Sequence, residues 1–197
     1  MRGRIYMENK KAKESRRIRY TRMVLRESLI ELMKKKPIAN IGIKEICALA
    51  DISRSTFYNY YIDQYDLLRK IEEETITFIH NVLNKYTIYK NDKNAIVKMV
   101  EEILQYIADN NKSIYVLFTE NGDIHFQRTL FSSMYQIDLL KSLTNKLPDE
   151  ATKQYYFLFI ATGTLGLVCH WINNGMDKSI QELAKLIIGI TSQKKFT

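Results

Sequence analysis

The chain has 197 residues, of which 46% are hydrophobic and 26% are charged. This composition is typical of a soluble globular protein and is ample for a buried core. The two cysteines, Cys47 and Cys169, lie in apolar helical patterns and are too few for a disulfide framework or a thiolate metal site. Two prolines and seven glycines favour a nearly all-helical chain.

The net charge of +8 is unevenly distributed along the sequence. Residues 1–62 contain 15 Lys and Arg against 6 Asp and Glu, whereas residues 63–197 contain 15 against 16. The positive excess therefore lies wholly in the N-terminal segment. A basic block is usually only a solvated face, but together with a nucleic-acid-binding motif it indicates a polyanionic partner.

Residues 1–17 are rich in Lys and Arg and lack apolar periodicity. They contain no long apolar segment, so they are not a secretory signal. We expect a flexible basic tail with weak phosphate contacts; reaching a minor groove is the alternative. An amphipathic helix is predicted from Ile18 to Lys36, and Pro37 ends it.

The next segment, IGIKEICALADISRSTFYNYY at residues 41–61, predicts two short helices around a tight turn. Ile43, Ile46, Cys47 and Ala50 have the spacing of one buried helix face. Ser53 is a good N-cap for the second helix, which begins with polar residues, ends with aromatic ones and contains no acid. Such a helix suits a major groove, so we interpret the segment as a helix-turn-helix.

The segment IKEICALADISRSTFYNYYIDQYDLL resembles the N-terminal DNA-binding domain of the tetracycline-repressor (TetR) family of bacterial transcription regulators. The similarity covers roughly residues 16–75, and we identify the chain as a member of that family. It departs from the usual pattern at Asp51, where the family has Gly, and at Gly42, where it has a phosphate-contacting Thr. The resemblance implies an all-α fold of about nine helices, with a three-helix DNA-binding domain at 18–62 and a helical dimerisation and ligand-binding domain at 63–197.

Several residues of the N-terminal domain are candidates for contact with DNA. Arg bonds guanine bidentately, Asn bonds adenine and a Thr methyl meets a thymine methyl, so Arg54, Ser55, Thr56 and Asn59 are the candidates for bases or adjacent phosphates. Tyrosine hydroxyls and further basic or polar groups position a protein on phosphates. The candidates for that role are Tyr58, Tyr60, Tyr61, Lys44, Thr21 and Arg22. Phe57 is expected in the core, and so is one of Tyr60 and Tyr61.

After the N-terminal domain, the sequence predicts a helix over 63–89, a helix that opens after the loop 91–94 and has its apolar face over 96–107, a short apolar piece over 113–118 and a helix over 123–146. Pro148 suits the first turn of a further helix that contains residues 154–176, and a last helix spans 179–190. The first begins at Asp63, a plausible N-cap, and by resemblance is the connecting fourth helix. Residues 154–176 contain no Asp, Glu, Lys or Arg and are long enough for a membrane span. Thr162, Thr164, His170 and Asn173, together with the absence of basic flanks, favour a buried helix in a protein that does not enter a membrane.

By resemblance, the last two long helices form a four-helix dimer interface with a second subunit. The candidates for this interface are Ala161, Thr162, Gly163, Gly166, Leu183 and Ile187. The family's C-terminal domain holds an apolar pocket for a small effector. Most aromatic residues at helical spacing are simply core, and the weak candidates for ligand contact are Tyr106, Phe118, Phe131, Tyr135 and Trp171.

The sequence thus predicts a homodimeric, ligand-responsive regulator in the bacterial cytoplasm that binds a palindromic DNA operator and, following the family tendency, represses. The alternative is a TetR-like coactivator that acts through a protein partner. An enzyme is not indicated, because no Gly-rich phosphate loop, paired acids or Cys/His arrangement stands out. His125 and His170 lack partners at ligand spacing, so neither a metal site nor a cofactor is expected.

Overall fold

The computed structural model describes residues 2–89, 92–118, 124–135 and 147–192. These residues form nine α-helices and no strand, which confirms the all-α prediction. The helices are α1 Arg2–Met33, α2 Ile43–Ala50, α3 Arg54–Tyr58, α4 Gln64–Tyr86, α5 Lys93–Asp109, α6 Asn111–Phe118, α7 Ile124–Tyr135, α8 Glu150–Asn173 and α9 Ile180–Ser192. Short 3-10 turns occur at Ile38–Asn40 and Thr87–Tyr89.

The chain divides into two compact units, unit 1 at Met1–Glu73 and unit 2 at Glu74–Thr197. The division falls inside α4, beyond the boundary at residue 62 that the sequence suggests. The first turns of α4 therefore belong to unit 1, to which they bring the buried side chains of Leu67, Leu68 and Ile71.

Helix α1 begins at Arg2 rather than at Ile18. The sequence analysis expects an irregular tail here because apolar periodicity is missing. However, Glu, Lys, Arg, Met and Ala dominate the segment, and these residues favour a helix without a buried face. Further along, the predicted apolar stripe forms: Leu25, Leu29 and Met33 are fully buried. The helix ends at Met33, before the three lysines that precede Pro37.

The core of unit 1 joins α1 to the two short helices. Ile46 and Cys47 of α2 are buried and Ile43 and Ala50 are half-buried, as their spacing predicts. Phe57 of α3 is fully buried. Because an isolated helix of five to eight residues is marginal in water, α2 and α3 depend on this packing.

The core of unit 2 is built mainly from α5, α6, α8 and α9. Trp171 lies within it and donates its indole N–H to the carbonyl of Lys178 at 2.8 Å. Side-chain caps set the helix starts, with Asp92 before α5, Asp149 before α8 and Ser179 before α9. The buried members of the cluster are Leu104, Ile107, Ile114, Val168, Trp171, Leu183, Ala184 and Ile187.

Helix α8 differs from its prediction as a buried helix. Along its length only Val168 and Trp171 are buried, while the aromatic rings of Tyr155 and Phe159 are 77% and 70% exposed. Among the described residues it is the one helix long and apolar enough to cross a membrane, by length and composition. Its apolar residues surround the whole helix, and the described part of this chain leaves the face with Tyr155 and Phe159 exposed. The predicted helix at 123–146 appears as α7 up to Tyr135, and residues 136–146 lie outside the described part.

Candidate nucleic-acid interface

The first turn of α3 presents polar side chains and is capped by Ser53. The Ser53 hydroxyl accepts the backbone N–H of Thr56 at 3.1 Å, which confirms the predicted cap. Arg54 and Ser55 are exposed, and Thr56 is half-buried. Ser53 Oγ also lies within hydrogen-bond distance of both Ser55 Oγ and Thr56 Oγ1. The exposed groups present one cation and several hydroxyls, the chemistry that meets phosphates and base edges.

Buried aromatic residues anchor α3 to the core of unit 1. Phe57 is fully buried, and the Tyr61 ring packs on it with centroids 5.7 Å apart. Tyr58 makes an edge contact with Phe57 but remains 58% exposed. Tyr61, at 8% exposure, therefore belongs to the core and not to the predicted phosphate-contacting set. Tyr58 remains available for such a contact.

Helix α3 ends at Tyr58, earlier than the aromatic run suggests. Asn59 still has right-handed helical angles and is exposed, so it continues the polar face of the helix by one residue. Tyr60 is half-buried, and the Arg22 guanidinium of α1 lies 5.7 Å from its ring centroid. This cation–π contact places an Arg22 charge beside the turn that leaves α3.

The start of α2 is occupied by an acid. Glu45 accepts a hydrogen bond from the backbone N–H of Gly42 at 3.0 Å and forms an ion pair with Lys36 at 2.7 Å. The Gly42 N–H and then Lys36 hold the pKa of Glu45 below its usual value. Lys44 is exposed beside them. Gly42 stands where the family carries a phosphate-contacting Thr. In this chain its backbone N–H already donates to the Glu45 carboxylate.

Thr21 is only 4% exposed on α1, which rules out the predicted direct phosphate contact. Its position on the helix alternates with exposed neighbours: Tyr20 and Arg22 point outward. Sequence alone misplaced it because the buried stripe of α1 begins one turn earlier than the stripe read from Val24 to Met33, with Thr21 four residues before the buried Leu25.

The weak candidates for ligand contact lie in unit 2, mostly paired with other aromatic rings. Tyr106 stacks on Phe78 with centroids 3.9 Å apart. Phe118 contacts Phe126, and Tyr135 contacts Phe157, each at 5.2 Å. Trp171 is committed to the core described above, and Phe131 is half-buried. Tyr106 and Phe118 also pack against the core cluster that contains Trp171, so these three candidates belong to the hydrophobic core of unit 2.

The predicted dimer residues separate into two groups. On α8, Thr162, Gly163 and Gly166 are exposed and Ala161 is half-buried. On α9, Leu183 and Ile187 are only 2% and 5% exposed, because they pack in the chain's own core. Their assignment to a dimer surface is therefore corrected. The exposed apolar residues of α9 are Leu186 and Ile190, which lie on a different face of the helix from Leu183 and Ile187.

Two functional features escaped the sequence analysis. Asp63 caps α4 as predicted, by accepting the Asp66 N–H at 2.8 Å, but the role of the Asp66 side chain was missed: it is 8% exposed and accepts hydrogen bonds from Ile62 and Arg69. The other is the pair Tyr155 and Phe159, 77% and 70% exposed, on the same face of α8 as the predicted Thr162 and Gly166. Among the described residues, no group of three or more His, Cys, Asp and Glu is placed to hold a metal.

Comparison with known proteins identifies the family. Residues 94–193 match a TetR family model described as the transcriptional regulator C-terminal region. The chain is 24% identical over 177 residues to YxbF of Bacillus subtilis strain 168, named as an HTH-type transcriptional regulator. That alignment covers 87% of this chain but 45% of YxbF, so the chain spans about half the length of this curated relative.

Solved structures share the fold. A TetR transcriptional regulator from Streptococcus agalactiae 2603V aligns with a TM-score of 0.59 and 20% identity, covering 91% of this chain and 98% of that one. FadR from Bacillus subtilis, solved in complex with stearoyl-CoA, aligns with a TM-score of 0.61 and 13% identity, covering 87% and 97%. With its helix-turn-helix in unit 1 and the family's C-terminal region in unit 2, the chain belongs to the TetR family of transcriptional regulators.

Proposed function

We propose that this regulator is a homodimeric, ligand-responsive repressor that binds a palindromic DNA operator through α2 and α3. One observation carries the DNA-binding part: the exposed polar turn of α3, led by Arg54, stands on a fully buried Phe57. The buried ring anchors the helix to the core while Arg54 and Ser55 stay exposed on its outer face. The basic excess of residues 1–62 supplies the sequence-independent attraction to phosphates.

The homodimer is supported by the uncovered stripe of α8. Tyr155, Phe159, Thr162 and Gly166 follow one another at i, i+4, i+7 and i+11, so they lie on one helix face, and all are exposed. Two large exposed rings beside small residues on one helix face are typical of a surface that contacts another protein. A second copy supplies the same stripe by two-fold symmetry, and such a dimer binds a palindrome because each subunit reads one half-site.

The ligand response is supported by the aromatic content of unit 2 and by likeness to FadR, whose structure contains stearoyl-CoA. We expect an apolar or aromatic effector that binds among the helices of unit 2 in the cytoplasm. Because α4 is one continuous helix with residues in both units, it is the covalent route by which binding in unit 2 reaches the DNA-reading surface. Repression follows the family tendency.

The test is a selection of random duplex DNA on the purified protein at two salt concentrations. We expect an enriched palindrome, and we expect the double variant Arg54→Ala with Tyr58→Ala to lose it. The matched control is Arg128→Ala with Tyr89→Ala, which removes the same two residue types from exposed positions in unit 2. The control should select the wild-type palindrome.

Two results would contradict the proposal in different ways. Salt-sensitive binding without an enriched motif would leave only the charge argument, and a coactivator that acts through a protein partner would become the better hypothesis. Enrichment of a non-palindromic sequence by a protein that stays monomeric would retain DNA reading but remove the homodimer.

A further inference from the structure

We propose that Asp66 is a positioning residue for DNA reading, because its carboxylate ties the turn after the recognition helix α3 to the start of α4. The inference rests on the proposed function, since it concerns how the proposed DNA-reading surface is held. It assigns no DNA contact to Asp66 itself.

The geometry around Asp66 closes the turn between the two helices. Asp66 Oδ2 accepts the backbone N–H of Ile62 at 3.0 Å, and Oδ1 accepts a hydrogen bond from Arg69 at 2.6 Å. The backbone N–H of Asp66 in turn donates to Asp63 Oδ1 at 2.8 Å. The Asp63 carboxylate therefore caps the start of α4, and the Asp66 carboxylate bonds back to the turn that follows α3.

The turn needs this bond because its side chains supply little else at that point. Ile62 is 76% exposed, so it gains almost no packing and is held through its backbone. Asp66, by contrast, is 8% exposed, and a hydrogen bond to a largely buried charged acceptor is among the stronger ones. Without it, the backbone bonds of Tyr60 and Tyr61 to the Phe57 carbonyl and the packing of their rings still hold the end of α3, but the step from Ile62 into α4 loses its tie to the Asp66 side chain.

Recognition helix α3 has only five residues and cannot hold its orientation by itself. Ser53 fixes its N-terminal end, Phe57 fixes its buried face, and the bond from Ile62 to Asp66 fixes the chain just beyond its C-terminal end. Base contacts require side chains held within a narrow geometry, whereas phosphate attraction does not. Loss of the bond should therefore affect sequence preference more than overall DNA affinity.

The experiment measures the ratio of affinities for the selected operator and for a scrambled duplex of equal length. Asp66→Ala should lower this ratio about ten-fold, the size of effect expected when a hydrogen bond to a charged acceptor is lost. Asp66→Asn keeps an oxygen acceptor for the Ile62 N–H and should stay near the wild-type ratio. Glu73→Ala is the matched control, because it breaks an exposed acid–base pair with Lys70 on the same helix, and it should leave the ratio unchanged.

Affinity for the scrambled duplex should change little in all four proteins. Circular dichroism at the assay temperature establishes that each variant is folded. If Asp66→Ala melts below that temperature, Asp66→Ser replaces it in an assay at lower temperature, judged by the same criteria.

The proposal is overturned if a folded Asp66→Ala protein keeps the wild-type ratio, if Asp66→Asn is as impaired as Asp66→Ala, or if Glu73→Ala loses the ratio equally. A wild-type protein without any preference for a sequence would instead refute the proposed function. The two failures are therefore distinguishable.

Discussion

The Ser53 hydroxyl lies 2.8 Å from the Thr56 hydroxyl and accepts the Thr56 backbone N–H at 3.1 Å. The Ser55 hydroxyl lies 2.9 Å from the same Ser53 oxygen. One cap therefore orients two of the side chains that the sequence analysis selects for DNA contact. Ser53 therefore contributes both to stability and to the proposed contact with DNA, and substitutions at this position can separate the two effects.

Ser53→Ala should lower the free energy of unfolding by about 1 kcal/mol, the usual cost of losing an N-cap. Operator affinity should fall as well, because Ser55 and Thr56 lose the group that orients them. Ser53→Asn restores a cap without charge and should recover both properties. Ser53→Asp restores the cap and stability but brings an anion beside phosphate, so its operator affinity should stay low. Urea denaturation and operator titrations measure the two properties; equal operator affinity of the Asp and Asn proteins would contradict the assignment.

Asp51 occupies the turn of the helix-turn-helix with φ of 54° and ψ of 43°. Left-handed backbone is disfavoured for residues with a Cβ, and Asp tolerates it better than Ala does. Asp51→Gly should raise the free energy of unfolding by about 0.5 kcal/mol, and Asp51→Ala should lower it. Urea denaturation of the three proteins gives the order. If the Ala protein were the most stable, the left-handed turn would not be the conformation in solution.

Gly166 lies on the exposed stripe of α8, and a Cβ built there meets nothing within 4 Å in this chain. Gly166→Leu should therefore leave the monomer fold intact, since Leu is also the better helix former. It should weaken dimerisation at least about ten-fold, because a side chain would keep two helices apart at a close approach. Gln154→Leu, exposed on another face of α8, is the matched control. Sedimentation in the absence of detergent measures both, and an unchanged Gly166→Leu dimer would place the interface elsewhere.

The acid stability of the protein should depend on Asp66. The Ile62 N–H, and after it Arg69, lower the pKa of Asp66 from its usual value of 3.8. A carboxyl whose folded pKa is lowered stabilises the protein above its ordinary pKa, and this contribution is lost as pH falls through the lowered value. The free energy of unfolding should therefore decline in acid, and less steeply for Asp66→Asn than for the wild type.

Denaturation at a series of pH values between about 2 and 6 tests this expectation, since that interval spans the titration of carboxyl groups. Glu45, Asp149 and Glu182 also have lowered pKa values, so the difference between the two proteins is the informative quantity. Arg69→Met keeps the Ile62 bond and loses the Arg69 contribution, so its curve should lie between those of the wild type and Asp66→Asn. Parallel curves for wild type and Asp66→Asn would contradict the role of the Ile62 bond.

Much of unit 1 could be predicted from the sequence because its signals are local. The spacing of Ile46 and Cys47 and the Ser53 cap depend on residues within two turns of each other, and both predictions are confirmed. The end of α3 could not be predicted in the same way. Tyr60 and Tyr61 continue a helical pattern in sequence, but packing on Phe57 and the bond to Asp66 turn the chain after Tyr58.

The errors in unit 2 have one physical cause. Leu183, Ile187, Leu186 and Ile190 are all apolar, and periodicity alone does not tell which side of a helix faces the chain's own core. The uncharged stretch of α8 presented the same ambiguity between a buried helix and one with an open face. Only the positions of the surrounding helices decide these cases.

Gly163 and Gly166 leave the exposed face of α8 almost without side chains at its middle. A surface without side chains does little to select one partner helix over another. In the proposed dimer, the discrimination between this chain and related regulators made in the same cell therefore falls to the bulky residues at the ends of the stripe. Tyr155 and Phe159, both highly exposed, would determine whether the chain pairs with itself or exchanges subunits with a paralogue.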